Sequence, residues 1–269
     1  MKHFFVNLKE VYPFLKTAQE PVLECFIAET FVTAPETRKV DSVLIIPGGA
    51  YSHICLDREG EAVAYKYLSE GFNAFVLKYS LCPEHYPAQV SEAAAAVDYI
   101  RAHNGEWKSN KVFVNGFSAG GHIAAGLGVF WNEPEVKQQF RSIRPDGLVL
   151  GYPVITSDTS FSHRESIENA SGTTDINAEI YKKMSLENQV NENTPPTYIW
   201  HTAEDNGVPV KNSLVFASAL AENKVPFEMH VFPYGGHGLA TGSSVSGNFK
   251  ENHYVYPWLN EAIKFLRSL

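Results

Sequence analysis

Residues 112–130, VFVNGFSAGGHIAAGLGVF, decide the fold of this chain. The first three residues are β-branched or aromatic, which predicts a buried strand, and the Ala-rich segment after Ser118 predicts a helix. Between them, Gly116-Phe117-Ser118-Ala119-Gly120 matches G-x-S-x-G, a pattern in which a tight strand-to-helix turn exposes a serine hydroxyl. Chance alone produces this pattern in about one such chain in ten, so the flanking strand and helix carry the inference. We predict Ser118 as a nucleophile, the alternative being a glycine-rich turn with an idle serine.

Strands and helices alternate along the rest of the chain. The predicted strands are 43–46, 72–77, 112–117, 148–150, 197–201 and 227–232, and the predicted helices are 59–69, 87–103, 119–130, 210–223 and 258–269. This alternation predicts an α/β fold, with a mostly parallel central sheet covered by helices on both faces. Residues 22–32 precede the alternation and predict an antiparallel edge strand. We expect a single domain over residues 1–269, in which residues 155–190 form an insertion that acts as a lid or pocket wall.

A serine nucleophile needs a base, because its free hydroxyl is a poor nucleophile at neutral pH. In this fold class the acid and then the histidine follow the serine along the chain, each on a turn after a later strand. Asp205 and His237 occupy such turns after the last two predicted strands. We predict that His237 exchanges the Ser118 proton and that Asp205 orients the imidazole. Glu204 is the alternative acid, and Asp205 is then an ordinary turn residue.

An acyl-transfer site also needs N–H donors for the oxyanion of the tetrahedral intermediate. One expected donor is the N–H of Ala119, directly after the nucleophile. A second is expected from Pro47-Gly48-Gly49-Ala50-Tyr51, which resembles the HGGG-type motif with Pro47 where that motif has histidine. We predict the Gly49 N–H, with Ala50 as the competing donor. The alternative is an ordinary glycine turn.

Four segments together resemble a known superfamily. They are PGGAY (47–51), GFSAGGH (116–122), HTAEDNGVPV (201–210) and PYGGHGL (233–239). They are similar to the α/β-hydrolase superfamily, and most of all to acetyl-esterase-like enzymes related to hormone-sensitive lipase and acetyl xylan esterases. The resemblance covers roughly residues 20–269. It implies hydrolysis of short-chain acyl esters, often acetyl groups on sugars, without a cofactor.

Five further residues lie near the predicted site along the chain and are weaker predictions for substrate binding. Aromatic and histidine side chains at such positions can stack on sugar rings, although they more often belong to the core. The residues are Tyr51, His53, His122, Tyr152 and Val208.

Composition restricts the remaining function classes. The chain has 22 basic and 30 acidic residues and a net charge of −8, which argues against binding to nucleic acid or an acidic membrane surface. Its three cysteines form no C-x-x-C or zinc pattern, and we expect free thiols in the cytoplasm. We predict mature sequence at the N-terminus, no metal site, and a small-molecule ester as the binding partner. Several edges could support a homodimer, but none is identified.

Three functions compete at this level. The first is a serine esterase that removes acetyl or similar small acyl groups, with a sugar as the alcohol implied only by the resemblance. The second is a formamidase or a small amidase or peptidase, in which an amine leaving group needs stronger protonation by His237. The third is a binding module that has lost catalysis on a retained scaffold. Glycosidic cleavage is not supported, because it usually requires paired carboxylates flanking the bond.

Overall fold

A computed structural model describes residues 1–28, 40–246 and 254–269 of the 269-residue chain. Within these residues one eight-stranded sheet runs through the molecule, in the order β1-β2-β4-β3-β5-β6-β7-β8. The strands are β1 (Lys2–Asn7), β2 (Val22–Ile27), β3 (Val40–Ile46), β4 (Asn73–Lys78), β5 (Ser109–Phe117), β6 (Gly147–Gly151), β7 (Thr197–Thr202) and β8 (Phe227–Phe232).

Helices connect most of these strands. They are α1 (Leu8–Val11), α2 (Leu56–Glu59), α3 (Glu61–Ser69), α4 (Ala88–Ala102), α5 (Asn104–Trp107), α6 (Ser118–Phe130), α7 (Pro134–Lys137), α8 (Arg164–Ser171), α9 (Glu179–Lys183), α10 (Lys211–Glu222) and α11 (Trp258–Ser268). Short 3₁₀ turns cover Leu186–Gln189 and Ser244–Ser246. No helix in the described part of the chain is long and apolar enough to cross a membrane.

The central strands bury both of their faces. Along β3, Leu44 and Ile46 pack into one apolar cluster with α4, α6 and α10, while Val43 and Ile45 pack into a second with α3 and α11. Successive side chains of a strand point to opposite faces, so a continuous apolar run fits a strand covered on both sides. This arrangement confirms the predicted α/β fold class.

The order and direction of the strands place the site. β3 pairs in parallel with β4 and β5, and the parallel pairing continues from β5 through β6 and β7 to β8. The carboxyl ends of these strands therefore meet at one edge of the sheet. Ligands of open α/β sheets bind in the crevice at that edge.

The antiparallel part of the sheet differs from the prediction. β2 pairs antiparallel with β4, as expected for the strand at 22–32, but it is not the edge. β1, formed by the first residues of the chain, pairs with its other side and takes the edge position. β2 ends at Ile27, and residues 29–32 of the predicted strand lie outside the described residues.

Candidate active site

Ser118 occupies a strained turn between β5 and α6. Its φ is +52°, in the left-handed region that non-glycine residues rarely adopt. The turn is also crowded, since a Cβ on Gly120 would lie 2.1 Å from the carbonyl oxygen of Ile46, and one on Gly116 would lie 2.3 Å from that of Gly120. Only glycine fits at these two positions. The two glycines are therefore required for the backbone of this turn.

Three side chains from three different turns form a continuous chain of hydrogen bonds. The imidazole Nδ1 of His237 lies 2.7 Å from Oδ2 of Asp205, and its Nε2 lies 2.8 Å from Oγ of Ser118. An ionised carboxylate only accepts hydrogen bonds, so Nδ1–H donates to Asp205. Nε2 then carries the lone pair and accepts the serine hydroxyl hydrogen. The structure thus brings together the three residues predicted as nucleophile, base and acid.

Asp205 is held in its ionised form by its neighbours. Its side chain is almost completely buried, which opposes ionisation, but hydrogen bonds from His201 and His237, the charge of His237 and the N–H of Val208 hold the pKa of this carboxyl well below its usual range. The N–H groups of Gly207 and Val208 each donate to Oδ1 at 2.9 Å. Val208, predicted to contact substrate, is fully buried and serves Asp205 instead.

Glu204, the alternative acid, faces a different group. Its carboxylate accepts a hydrogen bond of 3.1 Å from the N–H of Gly235 on the surface of the neighbouring loop. Asp205 occupies the position beside His237. Between the two adjacent carboxylates, the geometry therefore favours Asp205.

The loop after β3 presents two unused backbone donors to the same site. The N–H of Gly48 donates to Oε2 of Glu59 at 2.7 Å, and the carbonyl oxygen of Gly48 accepts from Cys55 N–H at 3.0 Å. Among the described residues, no acceptor lies on the N–H groups of Gly49 or Ala50, which both line the cavity above Ser118. The N–H of Ala119, in the first turn of α6, is likewise unused within the described chain. These three N–H groups are the ones predicted to bind an oxyanion.

A cavity of about 280 Å³ opens above Ser118. It is lined by Gly49, Ala50, Ser52, His53, Cys55, Arg58, Glu59, Ser118, His163, Glu165, His237 and Gly238. Ligand pockets for small molecules start at about 300 Å³, so this cavity suits a small substrate. His53 is the predicted substrate-binding residue that lines it.

Tyr51 and His122 lie behind the cavity wall. The hydroxyl of Tyr51 donates to Nδ1 of His122 at 2.7 Å, while Nε2–H of His122 donates to the carbonyl oxygen of Met184 at 3.0 Å. Burial lowers the pKa of His122 to about 4, so its ring is neutral near pH 7. Both residues support the Ala50 loop and the turn of Ser118 from within the core.

Tyr152 packs against the histidine rather than lining the cavity. It is 1% exposed, and its ring lies edge-on to the imidazole of His237, with 5.0 Å between the ring centroids. Its hydroxyl donates to Oε1 of Glu59 at 2.8 Å and accepts from the N–H of Ala240 at 2.9 Å. Its burial keeps it from a substrate in this cavity.

Two residues of the segment 155–190 line the cavity, and the sequence did not indicate which ones would do so. His163 and Glu165, at the start of α8, line the cavity. Asn169 on the same helix donates from Nδ2 to the carbonyl oxygen of Ala50 at 2.8 Å. Glu59 and His201 were also missed, because a buried carboxylate or imidazole has the same sequence signature as an exposed one.

The cysteines and the possible metal-binding side chains are the other reactive groups of the molecule. Cys25, Cys55 and Cys82 are free thiols. Within the described ranges, no group of three or more His, Cys, Asp or Glu side chains is arranged to hold a metal ion.

A parallel sheet with a serine turn after β5, an aspartate after β7 and a histidine after β8 defines an α/β-hydrolase. The chain belongs to the BD-FAE family, whose profile matches residues 30–220. The superfamily predicted from the four sequence segments is therefore confirmed.

Known proteins similar to this chain carry ester and xylan activities in their names. This chain is 40% identical over 217 residues to Endo-1,4-beta-xylanase B of Butyrivibrio fibrisolvens. It is 28% identical over 214 residues to Acetylxylan esterase of Xylanibacter ruminicola. These alignments cover 76% and 78% of this chain but only 33% and 43% of the two relatives. The crystal structure of an acetyl ester-xyloside bifunctional hydrolase from Caldicellulosiruptor lactoaceticus superposes with a TM-score of 0.85 at 32% identity, covering 98% of this chain and 96% of that one.

Proposed function

We propose that this protein is a serine esterase that removes acetyl or similarly short acyl groups from polar alcohols, including sugars. The observation that carries the proposal is the hydrogen-bonded chain at the cavity floor, with 2.8 Å from Ser118 Oγ to His237 Nε2 and 2.7 Å from His237 Nδ1 to Asp205 Oδ2. This arrangement is the one that activates a serine for acyl transfer.

The proposed reaction has two halves. Oγ of Ser118 attacks the ester carbonyl carbon while Nε2 of His237 takes the hydroxyl proton. The tetrahedral oxyanion lies against the N–H groups of Ala119 and of Gly49 or Ala50. Collapse of this intermediate breaks the bond to the alcohol oxygen, which leaves with the proton from His237. In the second half, Nε2 of His237 takes a proton from a water molecule that attacks the acyl carbon. Collapse of this second intermediate breaks the bond to Ser118 Oγ, which takes the proton back from His237 as the carboxylic acid leaves.

Asp205 supports both halves of this reaction. Its low pKa keeps it ionised at neutral pH, so it fixes Nδ1 as the protonated ring nitrogen and stabilises the imidazolium as it forms. The hydrogen bonds that Asp205 accepts leave its carboxylate no freedom to turn away.

The cavity supports a small acyl group and a polar alcohol. Its volume of about 280 Å³ favours a short acyl group, and its lining includes histidine, arginine and carboxylate side chains. The same side chains can hydrogen-bond the hydroxyl groups of a sugar. The relatives named for acetylxylan and acetyl ester-xyloside hydrolysis agree with this choice of alcohol. His163 and Glu165 support the role of residues 155–190 as a pocket wall.

The proposal is tested by measuring hydrolysis of 4-nitrophenyl acetate, butyrate and octanoate by the wild type and by Ser118→Ala. We expect fast acetate hydrolysis, slower butyrate and very slow octanoate hydrolysis, and loss of all three in the variant. Acetylated xylo-oligosaccharides then test the alcohol. Equal rates in both proteins would exclude Ser118 as the nucleophile.

The amidase alternative uses the same three residues, and no contact among the described residues of the cavity favours it. Acetanilide and phenyl acetate differ only in the leaving atom, so their relative rates separate the two activities. An esterase cleaves phenyl acetate far faster. Comparable rates would favour an amidase, and failure of a fluorophosphonate to label Ser118 would favour a binding module.

Glycosidic cleavage, which the names of two similar proteins include, lacks support in this cavity. Two carboxylates, Glu59 and Glu165, line it. Glu59 is 1% exposed and already accepts two hydrogen bonds, so it is not available to act on a glycosidic oxygen.

A cytoplasmic location is part of the same proposal. It is supported by the three free thiols, of which Cys82 is exposed, because unpaired thiols are typical of a reducing compartment. Cell fractionation followed by immunoblotting tests it.

A further inference from the structure

A buried carboxylate beside the serine is tied to two separate loops. Glu59, the last residue of α2, accepts the N–H of Gly48 at Oε2 over 2.7 Å and the hydroxyl of Tyr152 at Oε1 over 2.8 Å. The position of Gly48 shows how near this carboxylate is to the nucleophile, because a Cβ there would lie 3.0 Å from Oε2 and 2.8 Å from Cβ of Ser118.

The hydrogen bond between Glu59 and Gly48 lies next to the N–H groups proposed to bind the oxyanion. The Gly48 N–H belongs to the Pro47–Gly48 peptide, so its hydrogen bond to Glu59 anchors the start of the loop, directly before the peptides that carry the Gly49 and Ala50 N–H groups. Gly49 itself has a φ of +128°, which only glycine adopts readily. The next two peptides are held within the loop, by Cys55 N–H on the Gly48 carbonyl at 3.0 Å and by Ser52 N–H on the Gly49 carbonyl at 3.0 Å. Glu59 adds a side-chain contact at the point where the loop leaves β3.

The bond to Tyr152 reaches the histidine. The Tyr152 ring packs edge-on against His237, and its hydroxyl accepts the N–H of Ala240, three residues further along the same loop. Trp258 holds the other side of Ala240 by donating from Nε1 to its carbonyl oxygen at 2.8 Å. Glu59 is thus connected through one tyrosine to the loop that carries the base.

We propose that Glu59 is a positioning residue that holds the oxyanion loop and the His237 loop in their reactive arrangement. This inference rests on the proposed esterase function. Glu59 acts through Gly48 and Tyr152 and does not take part in bond making.

A carboxylate suits this role better than an amide. The Tyr152 hydroxyl uses a lone pair to accept from Ala240, so its hydrogen must donate to Glu59, and the Gly48 N–H is a donor as well. Two donors need two acceptors, which a carboxylate offers and a glutamine side chain does not. Glu59→Gln therefore loses one of the two contacts while keeping almost the same shape.

The experiment compares Glu59→Gln with Glu92→Gln. Glu92 is an equally buried carboxylate. It also accepts one N–H and one hydroxyl, both from Ser80, and it does not line the cavity above Ser118. We expect Glu59→Gln to lower kcat for 4-nitrophenyl acetate about 10- to 100-fold with KM within about twofold, because an oxyanion contact strengthens in the transition state. Glu92→Gln is expected to keep kcat within about twofold.

Tyr152→Phe is the second variant, and it keeps the inference testable if Glu59→Gln folds poorly. We expect it to lower kcat about 3- to 30-fold, and we expect the double variant to lose less than the product of the two single losses. A normal kcat in both single variants would overturn the inference, as would a kcat loss in Glu92→Gln as large as that in Glu59→Gln. If Ser118→Ala loses activity but Glu59→Gln keeps full activity, only the inference about Glu59 is overturned. If hydrolysis does not depend on Ser118, the esterase function is overturned, and the inference about Glu59 with it.

Discussion

Nε2 of His201 lies 3.2 Å from Oδ2 of Asp205, the oxygen that also accepts Nδ1–H of His237. His201 is fully buried, and its Nε2 lies 2.9 Å from the carbonyl oxygen of Val208. Both neighbours of Nε2 are acceptors, so Nε2 carries the hydrogen, and Nδ1 accepts from the hydroxyl of Ser213 at 2.7 Å. A second histidine thus supports the acid from within the core.

We expect His201→Phe to cost mainly stability. The variant leaves the Ser213 hydroxyl and the Val208 carbonyl without a partner in the core, which costs about 1–3 kcal/mol for each group. Asp205 keeps its bonds to Gly207, Val208 and His237, so kcat should fall less than about tenfold. Urea unfolding and ester hydrolysis measure the two effects, and Ser213→Ala is the control that leaves Asp205 untouched. A 100-fold loss of kcat in a folded His201→Phe protein would show that His201 contributes to the chemistry.

Asp205→Asn and Glu204→Gln form a matched pair of adjacent substitutions. We expect Asp205→Asn to reduce kcat about 10³- to 10⁴-fold, because an amide can hold the wrong tautomer of His237. Glu204→Gln should remain within about threefold of the wild type, since the Glu204 carboxylate accepts from the Gly235 N–H and does not contact the His237 ring among the described residues. Both are measured with 4-nitrophenyl acetate at neutral pH. The reverse ranking would make Glu204 the acid.

Gly120→Ala and Gly105→Ala test the crowding at the serine turn. A Cβ on Gly120 would lie 2.1 Å from the Ile46 carbonyl oxygen and 2.4 Å from that of Pro47, so the backbone of β3 or α6 must shift. We expect a loss of about 3 kcal/mol or more, together with loss of activity. Gly105 lies in α5 with no atom within 4 Å of its added Cβ, and Gly105→Ala should be neutral or stabilise by up to about 1 kcal/mol. Thermal unfolding of both variants checks this, and an unaffected Gly120→Ala protein would contradict the turn geometry.

The stability of the protein should depend on pH through Glu92. Burial raises the pKa of Glu92 to about 7, from an ordinary value of 4.5, although hydrogen bonds from Ser80 oppose the shift. A raised pKa means that the folded state holds the proton more tightly than the unfolded state. The contribution of this proton to the free energy of unfolding is therefore complete below pH 4.5 and is lost as the pH rises through 7. The wild type should therefore lose about 3 kcal/mol relative to Glu92→Gln between pH 4.5 and pH 7.5.

Urea unfolding of both proteins at several pH values measures this difference. Other titrating groups, such as His122, affect the two proteins equally and cancel in the comparison. A difference that stays constant across this pH range would show that Glu92 does not titrate in it.

Local sequence patterns predicted most of the elements that carry the site. The central strands are continuous apolar runs, and the predicted helices at 87–103 and 119–130 overlap α4 and α6 almost residue for residue. Elements at the margin were harder to predict. β1 is exposed on one side and polar at both ends, so neither its apolar content nor its alternation distinguishes it from a loop. The predicted helix at 59–69 is interrupted at Gly60, which separates α2 from α3.

The sequence predicts Ser118, Asp205 and His237 as site residues because each belongs to a short pattern of small residues at the end of a strand, and parallel strands bring such ends to one edge. The surroundings of these three residues depend on contacts between segments far apart in the chain. Tyr51 and Tyr152 are equally plausible as substrate contacts in the sequence, but the tertiary structure buries both behind the cavity wall. Glu59 looks like the polar start of a helix until the fold surrounds its carboxylate with donors from Gly48 and Tyr152. Burial is a property of packing between distant segments, so only the folded chain distinguishes a charge that faces water from one that holds two loops together.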